Sequence, residues 1–335
     1  MIPPVDRAQR RAARLLRWYP KAWRRRYGEE FSALLVAEFA ERPSSWRRTA
    51  DVACSGLLAR LTNTGLTGGA LEPAAQIQAS LATLCAAVAV FLAFALAIWS
   101  QLTIGWQWSR PDTAPTALAM VAMSALMLLF VSLALLAALP VAWGVVLRVR
   151  RGQAARLWVP SLLLLLGGVA LAVGARHFAQ HGWPGTGGHP WAGRGVVSGA
   201  VGSFTWAATL SISAYWAHPN VLLSFPAAEV AWMAASPIAM ICVVAGATQI
   251  VRRLDLSPRL LRYESRLGST AAAAMIAFLA AACLWIIDGG GGPRSLFQTG
   301  AIDVGGLVVM ALAFAVAHRA MRLARGAQPL LAPPR

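Results

Sequence analysis

The sequence predicts an all-α fold: a polytopic membrane helix bundle of about six spans. A small cytosolic helical module precedes it, and one re-entrant or interfacial helix sits at its outer face. Three observations predict this. Hydrophobic residues make up 58% of the chain and charged residues only 13%, against about half and a quarter in a soluble domain. The 30 Lys and Arg residues fall almost wholly into four blocks, with long uncharged apolar runs between them. The first 64 residues instead carry apolar stripes at three- and four-residue steps, the mark of amphipathic helices rather than spans. The expected division is a module over 1–64, a linker over 65–80, the transmembrane bundle over 81–325 and a cytosolic tail over 326–335.

Roughly 20 helical residues cross the ~30 Å hydrocarbon core. Leu81 to Ser100 meets that length without a charge, and Ala117 to Leu147 exceeds it with Pro140 inside. Leu157 to Gly174 is short but uncharged. A fourth run goes from about Leu222 to Ile250, with Glu229 near its start and Pro237 within, and Ser269 to Ile287 is a fifth. A sixth ends at His318. Val304 to Ala317 alone is too short, which puts Asp303 at or just inside the membrane boundary.

Val196 to Ala217 is also uncharged and long enough to cross, but rich in Ser, Thr, Gly and aromatics. The positive-inside rule arbitrates. With six spans, 26 of the 30 basic residues lie on one side and four on the other. A seventh crossing would make the split 18 to 12. Six spans fit better and place both termini in the cytosol, in the cytoplasmic membrane. The 196–217 run is then re-entrant or interfacial, with Trp206, Tyr215 and Trp216 suited to the interface. Topology accounts for most of the net charge of +17. The first uncharged apolar run begins too late for a cleavable signal peptide.

Within the module, helical patterns break at Pro20 and Pro43. The first covers about Asp6 to Trp18, and Tyr19, before a proline, turns the chain. Pro20 then opens a second helix, with Trp23, Tyr27, Phe31, Leu34, Leu35 and Phe39 on one stripe. Ser44 or Ser45 caps a third, along which Trp46, Ala50, Ala53, Leu57 and Leu61 repeat. Such helices make a small bundle or lie against a membrane. The Arg24-Arg25-Arg26 run, flanked by Trp23 and Tyr27, reads either as a solvated face or as a contact for a protein partner or anionic headgroups. Nothing specifies a recognition helix, and no nucleic-acid partner is expected.

The run Leu15 to Phe31 contains Tyr19-Pro20, Trp23-Arg24 and Arg26-Tyr27-Gly28-Glu29-Glu30. It resembles the "YPxxWRxRYGEE" prefix that precedes the spans of certain bacterial permease-like proteins. It is also similar to the N-terminus of uncharacterised multi-pass membrane proteins of high-GC bacteria, whose genes often lie beside those of transcriptional regulators or ABC transporter components. The resemblance covers about the first 60 residues. It implies a regulatory or accessory role, with a cytosolic regulator or transporter component as partner.

Ionisable groups near spans are the chemical candidates. With six spans, Glu229, Asp288 and Asp303 fall near the outer face, and the long outer loop brings His177, His181 and His189 to the same level. Arg176, Arg194, Arg294 and His218 are close in depth. Acids and imidazoles at one level make an outward-opening polar pocket for a cation, a proton or a small ligand; equally, span ends are wet and need no such role. His177 and His181 are four residues apart, as a helical metal pair requires. The residues between them lack the glutamate of an HExxH site, and no metal or other cofactor is expected. Cys54, Cys85, Cys242 and Cys283 form no CxxC pair. No catalytic constellation stands out. The expectation is a non-enzymatic regulatory or accessory membrane protein, with a small transporter or ligand- or proton-sensing protein centred on Glu229 as the alternative.

Overall fold

The computed structural model describes residues 4–41, 46–63, 72–103, 114–152, 154–182, 195–210, 226–254, 257–287 and 300–329. Among them are ten α-helices and no strand. The module holds α1 (Pro4–Leu16), α2 (Lys21–Glu41) and α3 (Trp46–Asn63). The bundle holds α4 (Pro73–Thr103), α5 (Ala114–Arg150), α6 (Trp158–His181), α7 (Val196–Thr205), α8 (Ala227–Arg253), α9 (Pro258–Ile287) and α10 (Gly300–Ala327). All of these except α7 are long and apolar enough to span a membrane. The chain is therefore an integral membrane protein with six candidate spans.

In the module, Ala8, Ala12 and Leu15 of α1 pack against Leu35 and Phe39 of α2. The small alanines one turn apart let the two helices close. α3 crosses near Gly56, where an added Cβ would stand 2.8 Å from Trp18 Cβ. Arg60 donates to the carbonyls of Trp18 (2.6 Å) and Arg17 (2.5 Å), giving partners to carbonyls just beyond the end of α1. Arg11 donates to Thr49 Oγ1 at 2.5 Å. This mode of attachment leaves Trp46, 71% exposed, and Leu57, 45% exposed, outside the module core. The capping serines at 44 and 45 lie outside the described residues.

The first span corrects one expectation. α4 begins at Pro73, so the second half of the 65–80 linker is helical. Its polar residues are tied down there, which a run of Gln and Ser does not advertise. Gln78 Nε2 donates to the carbonyls of Val251 (2.8 Å) and Leu254, which the end of α8 leaves without helical partners. Leu157, Ile250 and Leu254 cluster with Val141 and Val145 at the same level. The starts of α4 and α6 thus meet the ends of α5 and α8. The arginines of 148–151, 252–266 and 319–325 gather at this arginine end. Pro140 and Pro237 both lie within continuous helices.

Two groups of helices make up the bundle. In one, α4, α5, α9 and α10 interlock through large side chains. Phe91 meets Phe130 (5.8 Å between ring centroids) and Phe278 (5.9 Å, edge to face), with Met123, Met275 and Met310 fully buried around them. In the other, α6, α7 and α8 close on glycines. A Cβ at Gly167 would stand 2.5 Å from the Ala239 carbonyl oxygen, and one at Gly246 2.7 Å from that of Pro160.

α7 folds back along α6. Gly195 N donates to Ala179 O (3.0 Å) and Ser203 Oγ to Leu171 O (2.7 Å), and Gly199 abuts Ala175. The pairing moves four residues along α7 for every four back along α6. It therefore starts beside the last turn of α6 and reaches, at Leu171, about 15 Å inward. A π-helical stretch, Trp206–Leu210, continues it. α8 then begins beside the outermost turns of α6 again, because Glu229 meets His177. The segment enters and leaves at one end of the bundle, as a re-entrant element does. Trp206 is buried against Phe178 inside the bundle, not at an interface as the sequence led us to expect. The burial of Gly202, Ser203, Thr205 and Ala207 beside it shows that this whole stretch packs on protein. Tyr215 and Trp216 lie outside the described residues.

Candidate functional site

The end of the bundle opposite the arginines brings together three of the acids and imidazoles singled out in the sequence. His177 and His181 occupy the last two turns of α6, and their four-residue spacing stacks the rings at 4.5 Å between centroids. His181 Nδ1 lies 3.1 Å from the His177 carbonyl oxygen. A carbonyl only accepts, so Nδ1 carries the proton, which leaves Nε2 of neutral His181 as an acceptor. His177 Nε2 stands 3.6 Å from Glu229 Oε1. That separation is an ion-pair contact rather than a direct hydrogen bond, and it is attractive when the imidazole is protonated.

Local structure explains how each group is held. Pro226 precedes α8 as its N-cap and Glu229 is the third residue of the helix, with Glu229 N donating to Pro226 O at 2.9 Å. An acid there complements the positive helix N-terminus, and imidazolium at the end of α6 complements the negative C-terminus. Beneath them, Trp232 Nε1 donates to Ala170 O at 2.8 Å, and the ring fills the notch left by Gly174. The Phe178 ring meets Trp232 edge to face at 5.2 Å. The polar trio therefore sits on a packed aromatic floor. Glu229 is mostly buried, its side chain 14% exposed, whereas His177 keeps 40%.

Asp288, His189, Arg194, Arg294 and His218 lie outside the described residues. Asp303 belongs to the first turn of α10, and its side chain is likewise outside them. Among the described residues, no group of three or more His, Cys, Asp or Glu side chains is arranged to hold a metal ion.

The module's five singled-out residues do not share one environment. Trp23 stacks on Tyr19 at 4.1 Å and meets Phe31 edge to face at 5.3 Å, so it serves the packing of the turn between α1 and α2. Arg25, Arg26 and Tyr27 are exposed, with the Arg26 guanidinium 5.2 Å from the centre of the Tyr27 ring. Arg24 is half-buried. Burial pushes the Tyr19 phenol up from its ordinary value; the nearby Asp51 carboxylate adds to this and a hydrogen bond with Ser55 opposes it.

Sequence reasoning missed Glu264. It lies in α9 between Arg262 and Arg266, and its Oε1 is buried with no hydrogen-bond partner among the described residues. In the sequence it reads as one more wet charge in a basic block. No protein-family model matches the chain, and no curated protein or solved structure is significantly similar to it.

Proposed function

We propose that this chain is a non-enzymatic membrane protein of regulatory or accessory type, acting through its N-terminal module. The observation that carries the reading is that the module has its own core and ties, and that the chain runs from it into α4 at the arginine end of the bundle. The positive-inside rule puts that end in the cytosol. The likeness of Tyr19 to Glu30 to a permease prefix supports the same reading and points to a regulator or transporter component as partner. Co-purification from native membranes, comparing the full chain with residues 65–335, tests it. Loss of the same co-purifying proteins on truncation is expected; an unchanged set contradicts it.

A second reading is favoured by one specific contact, His177 to Glu229. A protonatable pair on an aromatic floor suits a proton- or small-ligand-responsive site at the outer face. In reconstituted vesicles, Glu229→Gln is then expected to remove the pH- or ligand-dependent response of the protein. An identical response in wild type and variant contradicts this reading.

A further inference from the structure

α3 carries a face that the module itself does not use. Trp46, Ala50, Cys54, Leu57 and Leu58 are all exposed. Their spacing of four, eight, eleven and twelve residues from Trp46 places them within about a third of the helix circumference. Arg47 is exposed at the edge of this face, its guanidinium 5.9 Å from the Trp46 ring centre. An apolar helical face with an indole and arginine at its margin is the pattern of a helix lying in the headgroup layer.

What covers this face is narrowed by charge and by reach. Residues 1–64 hold 13 Lys and Arg against six Asp and Glu. The arginine end of the bundle is basic as well, with Arg150, Arg253, Arg262 and Arg266 exposed there. Like charge opposes docking of the module on the bundle, and equally on a second copy of itself. An anionic leaflet complements both, at a gain for each arginine near the surface. Nine peptide steps join Asn63 to Glu72, which reach about 30 Å at most, so α3 stays within reach of the leaflet that α4 enters.

We infer that α3 lies in the plane of the anionic cytosolic leaflet with Trp46, Leu57 and Leu58 inserted among the lipids, an inference that rests on the accessory reading of the module. The face holds its own reporter, Cys54. The full chain, with Cys85, Cys242 and Cys283 replaced by serine and an environment-sensitive fluorophore on Cys54, is placed in nanodiscs of phosphatidylcholine alone or mixed with phosphatidylglycerol. With phosphatidylglycerol, quenching by spin-labelled lipid is expected to rise several-fold and quenching by aqueous iodide to fall, with part of the change reversed by high salt. The pair Leu57→Ser with Leu58→Ser, both exposed and so without effect on the module core, removes the change while helix content stays constant. A fluorophore that stays water-accessible in both lipids overturns the inference. So does one shielded equally in both and indifferent to salt, which reports covering by protein. Either result leaves the co-purification test of the accessory reading standing on its own.

Discussion

The two groups of helices in the bundle are held by opposite means. α4, α5, α9 and α10 meet through bulk: Phe91, Phe130 and Phe278 interlock, and flexible methionines fill the gaps between them. α6, α7 and α8 meet through the absence of bulk, with backbone pressed to backbone at Gly167, Gly199 and Gly246. In lipid, apolar side chains gain little from leaving the solvent, so close packing supplies what hydrophobic burial supplies in water. The glycine group is also the one that carries a polar trio. Closely approached backbones fix α6 against α8 to within a rigid distance, which holds His177 opposite Glu229.

This difference predicts opposite responses to side-chain size. Phe278→Ala has the largest expected effect. It removes the ring at the centre of the aromatic group and leaves a cavity, costing about 3–5 kcal/mol, read as a lower midpoint of denaturation in detergent. Gly199→Ala comes next. Its methyl would stand 2.2 Å from the Ala175 carbonyl oxygen, and backbone cannot step aside as a rotamer does, so a cost of about 1–3 kcal/mol is expected. The matching change in the aromatic group, Gly268→Ala, meets only the ends of Leu84 and Met321. These side chains can turn away, and the cost is expected to stay below about 1 kcal/mol. Equal losses at Gly199 and Gly268 would break the comparison.

How much of this was legible depended on whether the sequence signal had one meaning. Clustered arginines have one reading in a polytopic chain, so the six spans and the level of His177, His181 and Glu229 followed from counting. The stripe from Trp46 to Leu57 has two readings, core or surface, and α3 takes the second because Gly56, Thr49 and Arg60 engage α1 from another side. Val196 to Ala217 read as either re-entrant or interfacial because glycine and serine serve loops and close packing alike. Only the pairing with α6 tells the two apart. Gln76, Gln78 and Ser80 read as linker because nothing in the chain reveals that Gln78 meets the carbonyls at the end of α8. Glu264 was hidden by its arginine neighbours.

The smallest expected effect concerns the module, which stands outside both groups and sharpens the contrast by titrating on its own. Burial raises the Tyr19 phenol, so the folded module holds that proton more tightly than the unfolded chain does. The contribution is fully present below the ordinary tyrosine pKa of about 10 and is lost as pH rises through the raised value. Tyr19→Phe is expected to remove this alkaline loss. Near-ultraviolet circular dichroism of the full chain, followed from neutral to strongly alkaline pH, checks it.

The central claim is that the chain between α6 and α8 turns back at one end of the bundle while the arginines hold the other. Single cysteines at Val196, Ala227 and Arg259, each exposed, test it in an otherwise cysteine-free chain labelled with a membrane-impermeant maleimide. Positions 196 and 227 are expected to label from the same side, in intact cells, and position 259 only after the cells are opened. Positions 196 and 227 labelling from opposite sides, or position 259 labelling in intact cells, would contradict it.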